Sequence, residues 1–221
     1  MDTPQPQWKQ RLPNTLSVAR CFIAAGIIVV LATAPSPHHG VDTSGSMAAD
    51  WRLIGCMIAF VVAAITDMLD GHLARRWNVV SKFGRIIDPF ADKALVIGTL
   101  ACLAGPAYTV FTTNAGENAQ LVHITGVNVL IAVIVLIREL LVTSIRAVYE
   151  SDGYDFSAGK FGKAKMILQS VCIPTVMLIA GLGLALPDSS WIHANNLMMW
   201  LTAGVTAVSA YPYVRRIGAN S

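Results

Sequence analysis

The chain has 221 residues, 54% of them hydrophobic and only 13% charged, with a formal net charge of +3 and a positive mean hydropathy. That balance is too apolar for an ordinary soluble domain of this length and reads as one membrane domain over residues 1–221. Cys21, Cys56, Cys102 and Cys172 all fall in apolar stretches without CxxC or Cys/His spacing, which argues against a disulfide framework or a zinc site.

Taken in chain order, residues 1–14 form a basic interfacial segment, and six apolar stretches follow. They lie at about 15–34, 52–76, 88–111, 125–149, 162–186 and 195–214. Each can cross roughly 30 Å of hydrocarbon at about 1.5 Å per residue. Short loops between them predict an all-α integral membrane protein, a bundle of six transmembrane helices. The polar stretch 35–50, with His38 and His39, reads as a loop. Ala32-Thr33-Ala34 after the first apolar run also resembles a signal-peptide cleavage site, although a retained first helix is the reading adopted. Of the lysines and arginines only Arg52 falls on the side opposite the rest, which puts both chain ends in the cytoplasm of a cell whose inner membrane holds the protein. Basic loops of this kind suit an anionic leaflet. Membrane lipid is therefore an expected partner and nucleic acid is not.

The chemistry concentrates between residues 67 and 92. Asp67, Asp70, Gly71 and Ala74 stand at i, i+3, i+4 and i+7 on one helix stripe, and Asp88 and Asp92 at i, i+4 on the next helix. An ionisable group near lipid costs roughly 2.5–3.5 kcal/mol on insertion scales, so four acids aimed at one point require a cation. Oxygen ligation by carboxylates suits Mg²⁺ or Mn²⁺, and four are enough for two ions that also grip a phosphate. Gly71 and Ala74 leave bare helix surface for a ligand, and Arg75 offers a fork for phosphate oxygens. Asp88 by itself, followed by Pro89, also reads as a helix N-cap. An aspartate-lined path would equally suit a cation channel or a proton-coupled transporter.

The pattern D-x2-D-G-x2-A-R-x8-G-x3-D-x3-D, formed by Asp67, Asp70, Gly71, Ala74, Arg75, Gly84, Asp88 and Asp92, resembles the signature of the CDP-alcohol phosphatidyltransferases at all eight positions. The resemblance implies a six-helix membrane enzyme, paired as a homodimer, that moves a phosphatidyl or phospho-base group from a CDP-linked donor to an acceptor hydroxyl. It also implies that Asp67, Asp70, Asp88 and Asp92 bind two metal ions and that Asp92 acts as general base. The CDP-diacylglycerol donor would then lie against Asn14, Gly71, Ala74, Arg75 and Ser81.

Smaller blocks are similar to those of the phosphatidylglycerophosphate-forming branch of that family. They are Leu12-Pro13-Asn14 through Arg20, Asp88-Pro89-Phe90-Ala91-Asp92-Lys93, Arg138-Glu139 with Arg146, and Gly162-Lys163-Ala164-Lys165 with Gln169; Met166 departs from the usual Thr. They point to glycerol 3-phosphate as acceptor, with serine, inositol phosphate or phosphatidylglycerol as alternatives. An acceptor phosphate needs cationic hosts, and Arg138, Arg146, Lys160 and Lys163 are available. Arg138 and Glu139 could instead form a structural ion pair.

Overall fold

The computed structural model describes residues 7–34, 49–77, 82–111, 121–151, 160–186 and 189–220; within these elements the side chains of 7–13, 70–77, 82–83, 85, 111, 121, 150–151, 160–161 and 216–220 fall outside the description. Among the described residues seven α-helices run in chain order with a strand pair between the third and fourth. They are α1 (Gln7–Ala32), α2 (Trp51–Trp77), α3 (Lys82–Leu103), β1 (Thr109–Phe111), β2 (Leu121–His123), α4 (Val129–Ser151), α5 (Lys160–Gly181), α6 (Ser190–Val208) and α7 (Tyr211–Asn220).

α1 packs against both α2 and α3, α5 against α2 and α6, and α4 against α6 and α3. Ala24, Ile27 and Leu31 of α1 interlock with Phe60 and Ala63 of α2 and Leu100 of α3 in a continuous core. Close approach is set by small residues at helix ends. Gly181 lies where α5 meets the start of α2: its carbonyl accepts from Asp50 N at 2.7 Å, and a Cβ there would stand 3.1 Å from Leu53 Cβ. Beyond it Gly183, at φ 71°, closes α5 with paired bonds from Gly183 N to Ala180 O (3.0 Å) and from Leu184 N to Ile179 O (3.1 Å). That is a Schellman cap, which requires a left-handed residue.

Among the described residues four segments are long and apolar enough to cross a membrane: Asn14–Ala32, Trp51–Leu69, Gly162–Gly181 and Ser190–Arg215. α3 and α4 do not qualify by composition. Every 18-residue stretch of α3 contains Asp88, Asp92 and Lys93, and every such stretch of α4 contains Arg138, Glu139 and Arg146. The charges that disqualify them are the ones at the candidate site.

Several expected boundaries are corrected. α3 begins at Lys82 rather than 88, so Asp88 lies inside the helix and is not an N-cap, and Pro89 sits in the helix interior, where it lacks the N–H of an ordinary turn. α3 ends at Leu103 instead of 111, because Gly105-Pro106 breaks the helix and Pro106–Tyr108 forms a 3₁₀ turn. The β-branched run that follows pairs as an antiparallel ladder, Val110 opposite Val122, so the fold is mostly rather than entirely helical. The last apolar stretch is not one helix: α6 stops at Val208, and Ser209-Ala210 turn the chain into α7.

Candidate active site

Ser17 and Arg20 are one turn apart on α1 and face the same way, into the angle between α2 and α3. Arg20 Nη1 donates to Asp67 Oδ1, and Ser17 Oγ donates to Asp88 Oδ1. Both α1 side chains are buried, so the first helix supplies cationic and hydroxyl partners to two signature carboxylates. Asp92, one turn beyond Asp88 on α3, lies within electrostatic range of Asp67, Lys165, Glu139 and Arg20.

Asp67, Asp88 and Asp92 open onto one cavity of about 400 Å³. Its other side is built by a stripe of α4 that carries Arg138, Glu139, Val142 and Arg146, and by Gly162, Lys165 and Met166 of α5. These are helical repeats of three to five residues, each element turning one face to the same space. A smaller recess of about 30 Å³ lies beside it, lined by Arg20, Asp67, Asp92 and Gln169 among others.

The basic side of the cavity is held by a buried network. Lys165 Nζ donates to Glu139 Oε1, and Arg138 Nη1 donates to the same oxygen at 3.2 Å. Arg138 Nε reaches Ser209 Oγ at 2.9 Å, and Ser209 in turn donates to Thr206 O at 2.6 Å. Lys93 Nζ is fixed by Thr143 Oγ1. Arg146, by contrast, has a buried Nε with no hydrogen-bond partner among the described residues. A buried donor left in this state costs about 1–3 kcal/mol and is suited to an incoming oxyanion.

The structure thus brings together Asp67, Asp88, Asp92, Arg138 and Arg146 from the residues singled out by sequence. Asn14 sits one turn before Ser17 on α1 and does not line the cavity. Lys163 is exposed and does not line the cavity, while Lys165, two positions on, does. Ser81 and the side chains of Asp70, Gly71, Ala74, Arg75 and Lys160 lie outside the described residues. Sequence reasoning did not assign site roles to Ser17, Arg20, Glu139, Lys165 or Tyr213. The Arg138–Glu139 ion pair it left open does form, and Lys165 shares it.

No group of three or more His, Cys, Asp or Glu side chains among the described residues is gathered closely enough to hold a metal ion, and Asp70 is not among those side chains. The donor chemistry nevertheless fits a hard divalent cation: Asp67, Asp88 and Asp92 face one cavity, and none of the described residues that line it is an imidazole or a thiolate.

Residues 10–208 match the family model described as CDP-alcohol phosphatidyltransferase. The chain belongs to the CDP-alcohol phosphatidyltransferase family. It is 31% identical to the CDP-diacylglycerol–glycerol-3-phosphate 3-phosphatidyltransferase of Cereibacter sphaeroides, across 93% of this chain and 94% of that protein. It is 27% identical to the protein of the same name from Bacillus subtilis, across 91% and 92%, and 27% identical to that from Mycoplasma pneumoniae, across 75% and 67%.

Proposed function

We propose that the chain transfers the phosphatidyl group of CDP-diacylglycerol to glycerol 3-phosphate, giving phosphatidylglycerol phosphate and CMP. The observation that carries this reading is the two-sided cavity: signature carboxylates face it from α2 and α3, and Arg138, Arg146 and Lys165 face it from α4 and α5. Two phosphorylated substrates need such a site, with a carboxylate end suited to a cation-bound diphosphate and a basic end suited to a free phosphate. The relatives' names agree with both substrates.

Asp67, Asp70 and Asp88, with Asp92 at the edge, are the side chains that would hold two Mg²⁺ or Mn²⁺ ions. When bound, such ions neutralise the diphosphate and the departing CMP. In the reaction, Asp92 takes the proton from the sn-1 hydroxyl of glycerol 3-phosphate, whose oxygen attacks the phosphatidyl phosphorus in line with the bond to CMP. That bond breaks, and CMP leaves with its electrons. Much of the rate must come from holding the hydroxyl in line with the leaving group. Arg146 and Lys165 anchor the acceptor's phosphate, Arg138 orients Glu139, and Gly71, Ala74, Arg75 and Ser81 border the nucleotide.

The wider setting follows the same reading. Phe22, Met68, Ile86, Val129, Ile167 and Leu197 are all more than 60% exposed on different helices, an exterior that suits lipid better than water. We therefore read the chain as a single membrane domain in which α1–α6 are the six spans, with the cavity on the cytosolic side of the inner membrane. Acyl chains stay in lipid between helices, since extracting them costs about 0.8 kcal/mol per CH₂. The deciding experiment supplies purified protein with labelled CDP-diacylglycerol, Mg²⁺ or Mn²⁺ and separate acceptors, and follows CMP release. Release driven by glycerol 3-phosphate supports the reading; release driven only by serine, inositol phosphate or phosphatidylglycerol overturns the acceptor assignment.

A further inference from the structure

The family model ends at residue 208, where α6 ends, yet the cavity wall continues past that point. Tyr213, on α7, is the only aromatic side chain among the described residues that line it. It is 5% exposed and packs on Val142 and Ile145 of α4, with Tyr149 and Ala210 against the same cluster. Val142 itself lines the cavity, so the ring extends an apolar patch on the basic side, beside Arg138 and Arg146.

The turn that delivers Tyr213 is fixed. Ser209 N bonds Val205 O at 2.9 Å, and Tyr213 N and Val214 N both bond Ala210 O, at 3.0 and 3.2 Å. Ser209 Oγ also accepts from Arg138 Nε at 2.9 Å. One turn therefore sets both the ring and the arginine beside it. The opposite face of α7 exposes Tyr211 and Val214, so the helix lies on the bundle through Tyr213.

We propose that Tyr213 is a specificity-determining residue that limits the size of the phosphorylated acceptor. The inference rests on the acceptor reading above. The ring walls the apolar side of the basic pocket, where it would meet the bulk of a cyclic polyol phosphate sooner than that of a three-carbon polyol phosphate. Rigid aromatic walls discriminate by shape, and one misfitting group in an apolar pocket changes kcat/KM by roughly 10- to 200-fold.

The test measures kcat and KM for glycerol 3-phosphate, inositol 1-phosphate and CDP-diacylglycerol in the parent enzyme and in Tyr213→Phe, Tyr213→Leu and Tyr213→Ala. Tyr213→Phe should keep the parent's preference. Tyr213→Ala should raise the KM for glycerol 3-phosphate by about tenfold and shift the kcat/KM ratio toward inositol 1-phosphate by about tenfold or more, with the KM for CDP-diacylglycerol within about twofold of the parent. Tyr213→Leu, which preserves bulk for folding, should shift the ratio in the same direction by less. A ratio unchanged in the variants that fold, or an equal rise in KM for both substrates, overturns the proposal while leaving the activity itself intact. A parent enzyme that ignores glycerol 3-phosphate overturns the acceptor reading and this inference with it.

Discussion

Glu139→Gln tests the basic side of the cavity without changing its shape. Glu139 Oε1 accepts from Lys165 Nζ and from Arg138 Nη1, and its side chain is 9% exposed. Removing one member of a buried ion pair costs about 3–5 kcal/mol. Two features reduce that figure here: the amide oxygen of Gln still accepts one bond, and Arg138 keeps Ser209 as a partner. We expect a loss of about 2 kcal/mol, measured as a lower midpoint in thermal or denaturant unfolding of protein in lipid nanodiscs. The sign for ligand binding is opposite. Glu139 competes with an incoming phosphate for Lys165, so its neutralisation should tighten glycerol 3-phosphate, at about tenfold for each 1.4 kcal/mol of competition removed. Ligand stabilisation grows as RT ln(1 + [L]/Kd), so at the same concentration glycerol 3-phosphate should restore more stability to the variant than to the parent. Parent-like stability together with a parent-like ligand shift would refute the idea that Glu139 balances these cations.

Asp92→Asn should lower CMP release by about 100-fold or more while CDP-diacylglycerol still binds, checked by single-turnover kinetics beside a binding titration. Asp67→Asn and Asp88→Asn should raise the Mg²⁺ concentration for half-maximal activity and weaken Mn²⁺ binding read by electron paramagnetic resonance; unchanged metal binding in both would remove these residues from the ligand set. Gly126→Ala should destabilise by about 2 kcal/mol or more, because Gly126 has φ +68° and a Cβ there would lie 2.5 Å from the Asn195 backbone carbon of α6. That loss should appear in unfolding midpoints, with kcat per folded molecule unchanged.

What the sequence made legible was spacing. Asp67 and Asp88 could be assigned to facing helices because i, i+3 and i+4 intervals survive any error in helix ends. Helix ends themselves were harder. Pro89 looked like a helix start, but the helix runs through it from Lys82, against a cost of about 3 kcal/mol for a proline in a helix interior. Lys165 was hidden by its neighbour Lys163. The phase could have separated them: Lys165 falls three residues after buried Gly162 and four before buried Gln169, whereas Lys163 falls a quarter-turn outside that face. Tyr213 had a weaker signal: Pro212 suits the first turn of a new helix, yet an apolar window runs straight through it. The link from Arg20 to Asp67 spans 47 positions, and no local pattern reports a pair of that separation.

The pairings also show how the cavity keeps two functions apart. At the acidic end, α1 supplies Arg20 to Asp67 and Ser17 to Asp88; at the basic end, Glu139 and Ser209 take the bonds of Lys165 and Arg138. Each end thus carries its own counter-groups instead of neutralising the other. Were Asp92 and Lys165 locked in a direct pair, the carboxylate would be a poorer proton acceptor and the lysine would be unavailable to a phosphate. Glu139 prevents this by occupying Lys165, at the cost of a carboxylate that any acceptor phosphate must displace. Arg146, whose Nε has no partner among the described residues, needs no such exchange. It is therefore the side chain on which an incoming phosphate should land first, before Lys165 is drawn away from Glu139.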